Sequence, residues 1–307
     1  MSAAPRIDAA PQGHWGQGGL PPAPGPDAWT EYLSRHAKSF WAASRLMPEP
    51  QRTQLAGVYA YCRYTDDLVD GAVRDRSELL AALDQWETLS ANAYCGVVTG
   101  VPLLDAVMPE MDRHDVPFEY AAALLRGMRQ DVLGETYACM PDLLGYCYDV
   151  ASVVGLWLTE LFGVHDNWTL ARAAELGIAM QLTNIVRDVG EDFARGRVYL
   201  PYDLMRAHGI TPLMIEGWVR EGTRDLPDAY GALLEDIMQH AERAYASADE
   251  AIPLLPPFFR PAVAAASRLY RAIHDVIREN GYDNITRRAI VPAAYKLAVA
   301  REALAER

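Results

Sequence analysis

Apolar residues recur every three or four positions through most of this chain, which is the spacing of one face of a helix. Few stretches alternate apolar and polar residues in the manner of a half-buried strand. Alanine and leucine, two strong helix formers, are abundant. The pattern therefore predicts an all-α protein.

The ends of the predicted helices follow known start and stop signals. A long apolar-periodic run ends at Asp70 and begins after Pro48 and Pro50, and a later one begins at Thr169. Further helices are expected at about 77–93 (capped by Ser77), 117–133, from 141, near 204, at 212–220, at 227–252, up to 280 and from 292. No repeat or linker divides this series, so a single helical domain is expected over residues 29–307. Residues 1–28 are rich in Pro, Gly and Ala, which predicts a disordered N-terminal arm.

The most apolar region of the chain is residues 143–164. Asp149 and Glu160 interrupt it, so it falls short of the roughly 20 uninterrupted apolar residues that a membrane span needs. It is therefore predicted to be a buried helix that lines an apolar cavity. The sequence offers no partner for Asp149.

The formal net charge of −13 makes nucleic acid an unexpected partner, because a phosphate backbone requires a basic surface. A phosphorylated substrate remains compatible with this charge if metal ions neutralise the carboxylates that meet it. The four cysteines form no CxxC pair and have no histidine partner at zinc-site spacing. They are predicted to be buried, reduced thiols of a cytoplasmic protein.

Two acidic segments carry the candidate chemistry. In the first, Asp66 and Asp70 are four residues apart, so on a helix they share one face with Arg63 and Tyr59. Asp67 projects off this face and is expected to have no direct role. Seen alone, this segment fits a solvated, salt-bridged surface equally well.

The second segment places four oxygen-bearing side chains on one predicted helical stripe within apolar surroundings. They are Gln181, Asn184, Asp188 and Asp192. Buried carboxylates need partners or a metal, and hard divalent cations such as Mg²⁺ prefer oxygen ligands. The alternative is an aqueous channel in a structural protein. Two such faces opposite each other would suit an enzyme that ionises a diphosphate ester.

At these segments the chain resembles the trans head-to-head prenyl synthases, that is, the phytoene, dehydrosqualene and squalene synthases. The resemblance extends from about residue 30 to 300 and includes five motifs in the same order. They lie at 36–40 (HAKSF), 59–71 (YAYCRYTDDLVDG), 145–155 (GYCY and VVG), 181–201, and 282–289 (YDN and RRA). The resemblance implies an isoprenoid synthase-type bundle of helices around a central cavity.

The resemblance also implies roles for individual residues. Mg²⁺, or Mn²⁺ in its place, would be bound by Asp66, Asp70, Asn184, Asp188 and Asp192. Diphosphate would be contacted by Lys38, Ser39, Arg63, Gln181, Asn184, Arg187 and Arg287. Four tyrosines would project into the cavity, where they can stabilise carbocations or assist proton loss: Tyr59, Tyr146, Tyr199 and Tyr270. For each of them, simple packing in the core is the alternative.

The implied reaction joins two prenyl diphosphates. Ionisation of one allows attack by the double bond of the other, and a second ionisation with rearrangement connects the two chains C1 to C1. Loss of a proton gives a conjugated product, whereas hydride from NADPH would give a saturated junction; NADPH is not expected here. Because the product is so apolar, we expect a cytoplasmic enzyme with peripheral membrane contact, with a downstream desaturase as a possible partner.

The choice of substrate remains open between two chain lengths. The segments 65–71 and 181–201 are most similar to phytoene synthases, which use two C20 chains, and a small Ser44 would leave room for a long tail. Against this, residues 151–157 also resemble C30 relatives, and Trp41 or Trp157 would shorten a pocket. A third hypothesis, from a different class, is a non-catalytic assembly or lipid-binding homologue. Such homologues have lost aspartates that this chain retains.

Overall fold

The computed structural model describes residues 20–70 and 75–305, and these residues form helices without any strand. The α-helices are α1 (Trp29–His36), α2 (Lys38–Ser44), α3 (Glu49–Asp70), α4 (Arg76–Tyr94), α5 (Pro102–Arg113), α6 (Glu119–Leu133), α7 (Met140–Cys147), α8 (Val153–Leu161), α9 (Asn167–Arg187), α10 (Val189–Ala194), α11 (Tyr202–Ala207), α12 (Pro212–Glu221), α13 (Asp228–Asp249), α14 (Arg260–Glu279) and α15 (Ala293–Ala305). A π-helical segment, Tyr148–Ser152, joins α7 to α8. The all-α prediction is confirmed. The prediction that the four cysteines are buried is wrong for three of them: only Cys147 is buried, and Cys95, after the end of α4, is exposed.

Two predictions about chain segments are wrong in detail. Asp75, and not Ser77, caps α4, because its side chain accepts a hydrogen bond from the backbone N–H of Glu78. Residues 20–28, assigned to the disordered arm, pack against the domain, whereas residues 1–19 lie outside the described part of the chain and the prediction for them stays a prediction. The hydroxyl of Tyr64 donates to the carbonyl of Pro21 at 2.7 Å, and the indole of Trp29 donates to that of Pro24 at 3.0 Å.

The buried side chains form two clusters with a cavity between them. One cluster is centred on α9, α13 and α14, and the other on α3 to α6 with α8. Phe40 and Val150 pack against both. Residues of both clusters, such as Met180 from the first and Leu158 from the second, line the cavity. The predicted bundle around a central cavity is therefore what these helices form.

Close backbone contacts hold the π-helical segment between α6 and α9. A Cβ on Gly177 would overlap the backbone of Ser152, and one on Gly127 would overlap the side chain of Val150. The hydroxyl of Ser152 donates to the carbonyl of Ala174 at 2.6 Å. This packing places Val150 and Ala151 in the cavity wall. The prediction that residues 143–164 line an apolar cavity is thereby confirmed.

No helix in the described part of the chain is long and apolar enough to cross a bilayer.

Candidate active site

The cavity has a volume of about 650 Å³ and is lined mainly by apolar side chains. One face of α3 and one face of α9 contribute to its wall. Leu55, Tyr59, Cys62, Arg63 and Asp66 recur on α3 at the spacing of a single helical stripe. The polar residues that α9 and the chain after α14 contribute to the wall are Thr169, Arg172, Gln181, Asn184, Arg187, Arg288 and Lys296.

The carboxylates of the first acidic segment have different surroundings. Burial raises the pKa of Asp66 to about 8, and the neighbouring charge of Arg63 only partly opposes this effect. Asp70, at the end of α3, accepts from Arg197 at 2.8 Å and from Arg195 at 3.4 Å. Both arginines follow the second acidic segment in the chain. These two ion pairs connect the end of α3 to the chain that follows the second acidic segment.

The second segment does not form the continuous helical stripe that its spacing predicts. Helix α9 ends at Arg187, Asp188 adopts a non-helical backbone conformation (φ −110°, ψ 15°), and α10 begins at Val189. Gly190 explains the break. Its N–H donates to the carbonyl of Asn284 at 3.1 Å, and a Cβ there would overlap the backbone of Ile285. The chain must leave the α9 axis to make this contact.

The two carboxylates around the break have different surroundings: arginines hold Asp188, and Asp192 is half-buried. Asp188 accepts from Arg187 Nε at 2.7 Å, and the Nε of Arg288 lies 3.0 Å from its Oδ1. Asp192 is half-buried, and the loss of solvent raises its pKa to about 7. Nearby Asp188 adds to this rise, while Arg195 and Arg197 oppose it. A divalent cation would relieve the cost of keeping both segments ionised.

Asn184 has an acceptor available for a ligand. Its Nδ2 donates to Gln181 Oε1 at 3.2 Å, while its Oδ1 is buried and has no hydrogen-bond partner among the described residues. The described chain contains no preformed group of three or more His, Cys, Asp or Glu side chains positioned to hold a metal. The donor set nonetheless consists of carboxylate and amide oxygens, which suits a hard cation such as Mg²⁺.

The four tyrosines separate into two pairs. Tyr59 and Tyr270 line the cavity as predicted, and burial raises the pKa of both phenols. Tyr146 and Tyr199 are not part of the lining of this cavity, contrary to prediction. Their hydroxyls donate to the carboxylate of Asp131 on α6, at 3.1 Å and 2.8 Å, because that buried carboxylate needs donors.

The diphosphate-contacting residues are only partly where the sequence predicts them. Arg63, Gln181 and Arg187 line the cavity, whereas Arg287 lies against Asp283 at 3.4 Å and is not part of the lining. Its neighbour Arg288 reaches the cavity instead. The side chains of Lys38 and Ser39 lie outside the described part of the structure, and their roles stay predictions.

The sequence leaves the partner of Asp149 open and does not indicate the roles of Asp131 and Arg197. Asp149 forms a two-point ion pair with Arg126, at 2.9 and 2.8 Å. Asp131 lies in a helical pattern that ends at Leu133, and Glu135, four residues later, falls beyond that end, so their spacing is only a weak local signal. Arg197 follows the second acidic segment closely, and a basic side chain at that position is a local signal for an ion pair with a carboxylate.

Comparison with known proteins agrees with the motifs. A family model described as squalene/phytoene synthase matches residues 33–295. A phytoene synthase of Cereibacter sphaeroides is 36% identical over 281 residues, which are 88% of this chain and 77% of the relative. A 15-cis-phytoene synthase of Synechococcus elongatus is 33% identical over 282 residues, 87% of this chain and 88% of the relative. Among solved structures, a dehydrosqualene synthase in complex with ligand is similar with a TM-score of 0.81 and 30% identity, over 92% of this chain and 95% of that one. The chain belongs to the squalene/phytoene synthase family.

Proposed function

We propose that this protein joins two geranylgeranyl diphosphates head to head, C1 to C1, and forms phytoene by way of prephytoene diphosphate, a step of carotenoid biosynthesis. The observation that carries this proposal is the shared cavity. Asp66 from the first acidic segment and Asn184 from the second line one apolar chamber, with Arg63 and Arg187 in the same wall. Relatives that are 33–36% identical over nearly the whole chain are phytoene synthases.

The acidic residues provide the ligands that a metal-dependent ionisation requires. Mg²⁺ would be held by Asp66, Asp70, Asn184, Asp188 and Asp192. When bound, such a cation takes up negative charge that develops on a departing diphosphate. Arg63, Arg187 and Arg288 would bind diphosphate oxygens through their planar guanidinium groups. Because these groups are fixed and charged, they also orient the leaving group.

The rest of the cavity wall would protect the carbocations formed after ionisation. Apolar side chains exclude water, which would otherwise capture such an intermediate. The rings of Tyr270 and Phe40 pack edge to face with centroids 5.5 Å apart, and both line the cavity. Their π faces can stabilise positive charge. The hydroxyl of Tyr59, next to Arg63 on the same helical stripe, is suitably placed to orient diphosphate.

The structure favours the longer substrate. Ser44 lines the cavity, and its small side chain leaves space there. Trp41 and Trp157, which would shorten the pocket, are not part of its lining, and Trp157 packs instead against Tyr61 with centroids 5.4 Å apart. The similarity to a dehydrosqualene synthase keeps farnesyl diphosphate as the second candidate substrate.

Product mass tests the choice of substrate. Purified protein is incubated with Mg²⁺ and either geranylgeranyl or farnesyl diphosphate, with and without NADPH. A C40 product from the C20 substrate, independent of NADPH, is expected. A C30 product alone would replace this function with the second candidate, and the absence of turnover with both would favour the non-catalytic homologue.

A second proposal concerns where the enzyme acts. We propose that it is cytoplasmic and contacts the membrane peripherally, where a downstream desaturase would take the product. The apolar cavity supports this proposal, because a hydrocarbon product must leave into an apolar phase. In liposome flotation, a fraction of the protein is expected to float. Protein that stays wholly in the soluble fraction would contradict it.

A further inference from the structure

Arg63 on α3 lines the cavity and is hydrogen-bonded to Asp67, which does not line the cavity. Asp67, four residues later, lies beside Arg63 on the helix surface, and its Oδ1 accepts from Arg63 Nη2 at 2.6 Å. Arg63 belongs to the lining of the cavity, whereas Asp67 does not. Asp67 can therefore affect ligand binding in the cavity only through the guanidinium group of Arg63.

A tyrosine from another helix occupies the second oxygen of Asp67. The hydroxyl of Tyr32, on α1, donates to Asp67 Oδ2 at 2.6 Å. Burial and the Asp67 carboxylate both raise the pKa of this phenol, so it remains a proton donor at neutral pH. With both oxygens taken by short hydrogen bonds, Asp67 is in a poor position to ligate a metal and in a good one to fix an arginine.

Tyr32 is itself held in place. Its ring packs on that of His36 with centroids 4.6 Å apart, and His36 lines the same cavity. These contacts form a chain. It begins at the cavity wall with His36 on α1, passes through Tyr32 and Asp67, and ends at the wall with Arg63 on α3. Such a chain of contacts limits the rotamers that Arg63 can adopt.

Arg63 also keeps unused hydrogen-bonding capacity. Its Nε is buried and has no hydrogen-bond partner among the described residues. A buried donor of a charged group left in this state is costly unless a ligand meets it. A diphosphate oxygen is a ligand of the right charge.

We propose that Asp67 and Tyr32 are positioning residues that fix the guanidinium of Arg63 for the diphosphate of the prenyl substrate. Neither residue touches substrate. The inference rests on the proposed function, since it assumes that a diphosphate binds in this cavity. It differs from a purely structural link between α1 and α3, which would affect stability and leave diphosphate affinity unchanged.

The test measures binding of inorganic pyrophosphate by calorimetry at saturating Mg²⁺, so that it does not depend on which prenyl chain is used. Asp67→Asn is expected to weaken binding about tenfold, as loss of a group supporting a ligand-binding side chain commonly does. Tyr32→Phe is expected to weaken it about threefold, the scale of one hydrogen bond. In an Arg63→Ala background, Asp67→Asn should cause no further loss, because its effect passes through the arginine.

Two matched controls accompany these variants. Asp84→Asn removes a carboxylate that accepts from Arg129 at 2.7 Å, and Tyr94→Phe removes a hydroxyl that donates to the Val116 carbonyl at 3.1 Å. Neither residue lines the cavity, and both variants should bind pyrophosphate like the wild type. Thermal unfolding of every variant identifies losses that come from stability.

The outcomes separate this inference from the proposed function. Wild-type protein that does not bind pyrophosphate would overturn the proposed function and the inference with it. Wild-type binding with unchanged affinity in Asp67→Asn would overturn the inference alone. An equal loss from Asp67→Asn with or without Arg63 would do the same, because it would mean that Asp67 acts directly.

Discussion

At the scale of single residues, the main electrostatic feature of the site is the burial of carboxylates that also repel each other. Burial raises the pKa of Asp66 to about 8 and that of Asp192 to about 7, and Asp70 and Asp188 add like charge beside them. Without a cation these groups are costly to ionise together. A cation bound among these carboxylates would offset this cost.

The adjacent residues Arg287 and Arg288 should contribute differently to kcat/KM. Arg288→Ala should lower kcat/KM for the prenyl diphosphate by at least about tenfold, because Arg288 lines the cavity and pairs with Asp188. Arg287→Ala removes a residue that contacts Asp283 and should change kcat/KM by less than about threefold. Steady-state kinetics of the two variants measure this difference. The reverse order of effects would restore the assignment made from the sequence.

At the scale of elements, the break between α9 and α10 depends on a glycine. Gly190→Ala should destabilise the protein by about 1–3 kcal/mol, because the added Cβ overlaps the Ile285 backbone and forces a shift. Gly145→Ala is the matched control, since a Cβ at that exposed position in α7 meets nothing within 4 Å. The control should be neutral or slightly stabilising. Denaturant unfolding measures both, and equal stabilities would contradict this account of the break.

Helix α2 gives a prediction about chain length. Ser44, at its end, is buried and lines the cavity. Ser44→Phe should fill the space available to a long tail and shift the preference from the C20 towards the C15 substrate, by roughly tenfold in the ratio of kcat/KM values. Ser44→Ala keeps the space and should keep the preference. Competition between the two diphosphates, with product masses as readout, measures this preference. Equal preferences in the two variants would contradict the prediction.

At the scale of the whole molecule, much of the architecture could be predicted from the sequence. Helical periodicity located the long helices, and the interrupted apolar region at 143–164 indicated a cavity wall, because both depend on local patterns. The break at Asp188 could not be predicted, since it depends on a contact between Gly190 and the distant Ile285. Asp131 was missed for the same reason: it meets Tyr199 only in three dimensions. Arg287 was named from the family resemblance, whereas Arg288 lines the cavity; both lie between helices, where no periodicity assigns a direction.

The most direct test of the central claim is the turnover of geranylgeranyl diphosphate with Mg²⁺ by the wild type, by Asp66→Asn and by Asp188→Asn. The first substitution removes a charge from one acidic segment and the second from the other. If both segments serve one metal–diphosphate site, each variant should lose at least about a hundredfold in kcat, and chelation of Mg²⁺ should stop the wild type. Undiminished turnover in either variant, or turnover that persists under chelation, would contradict the claim.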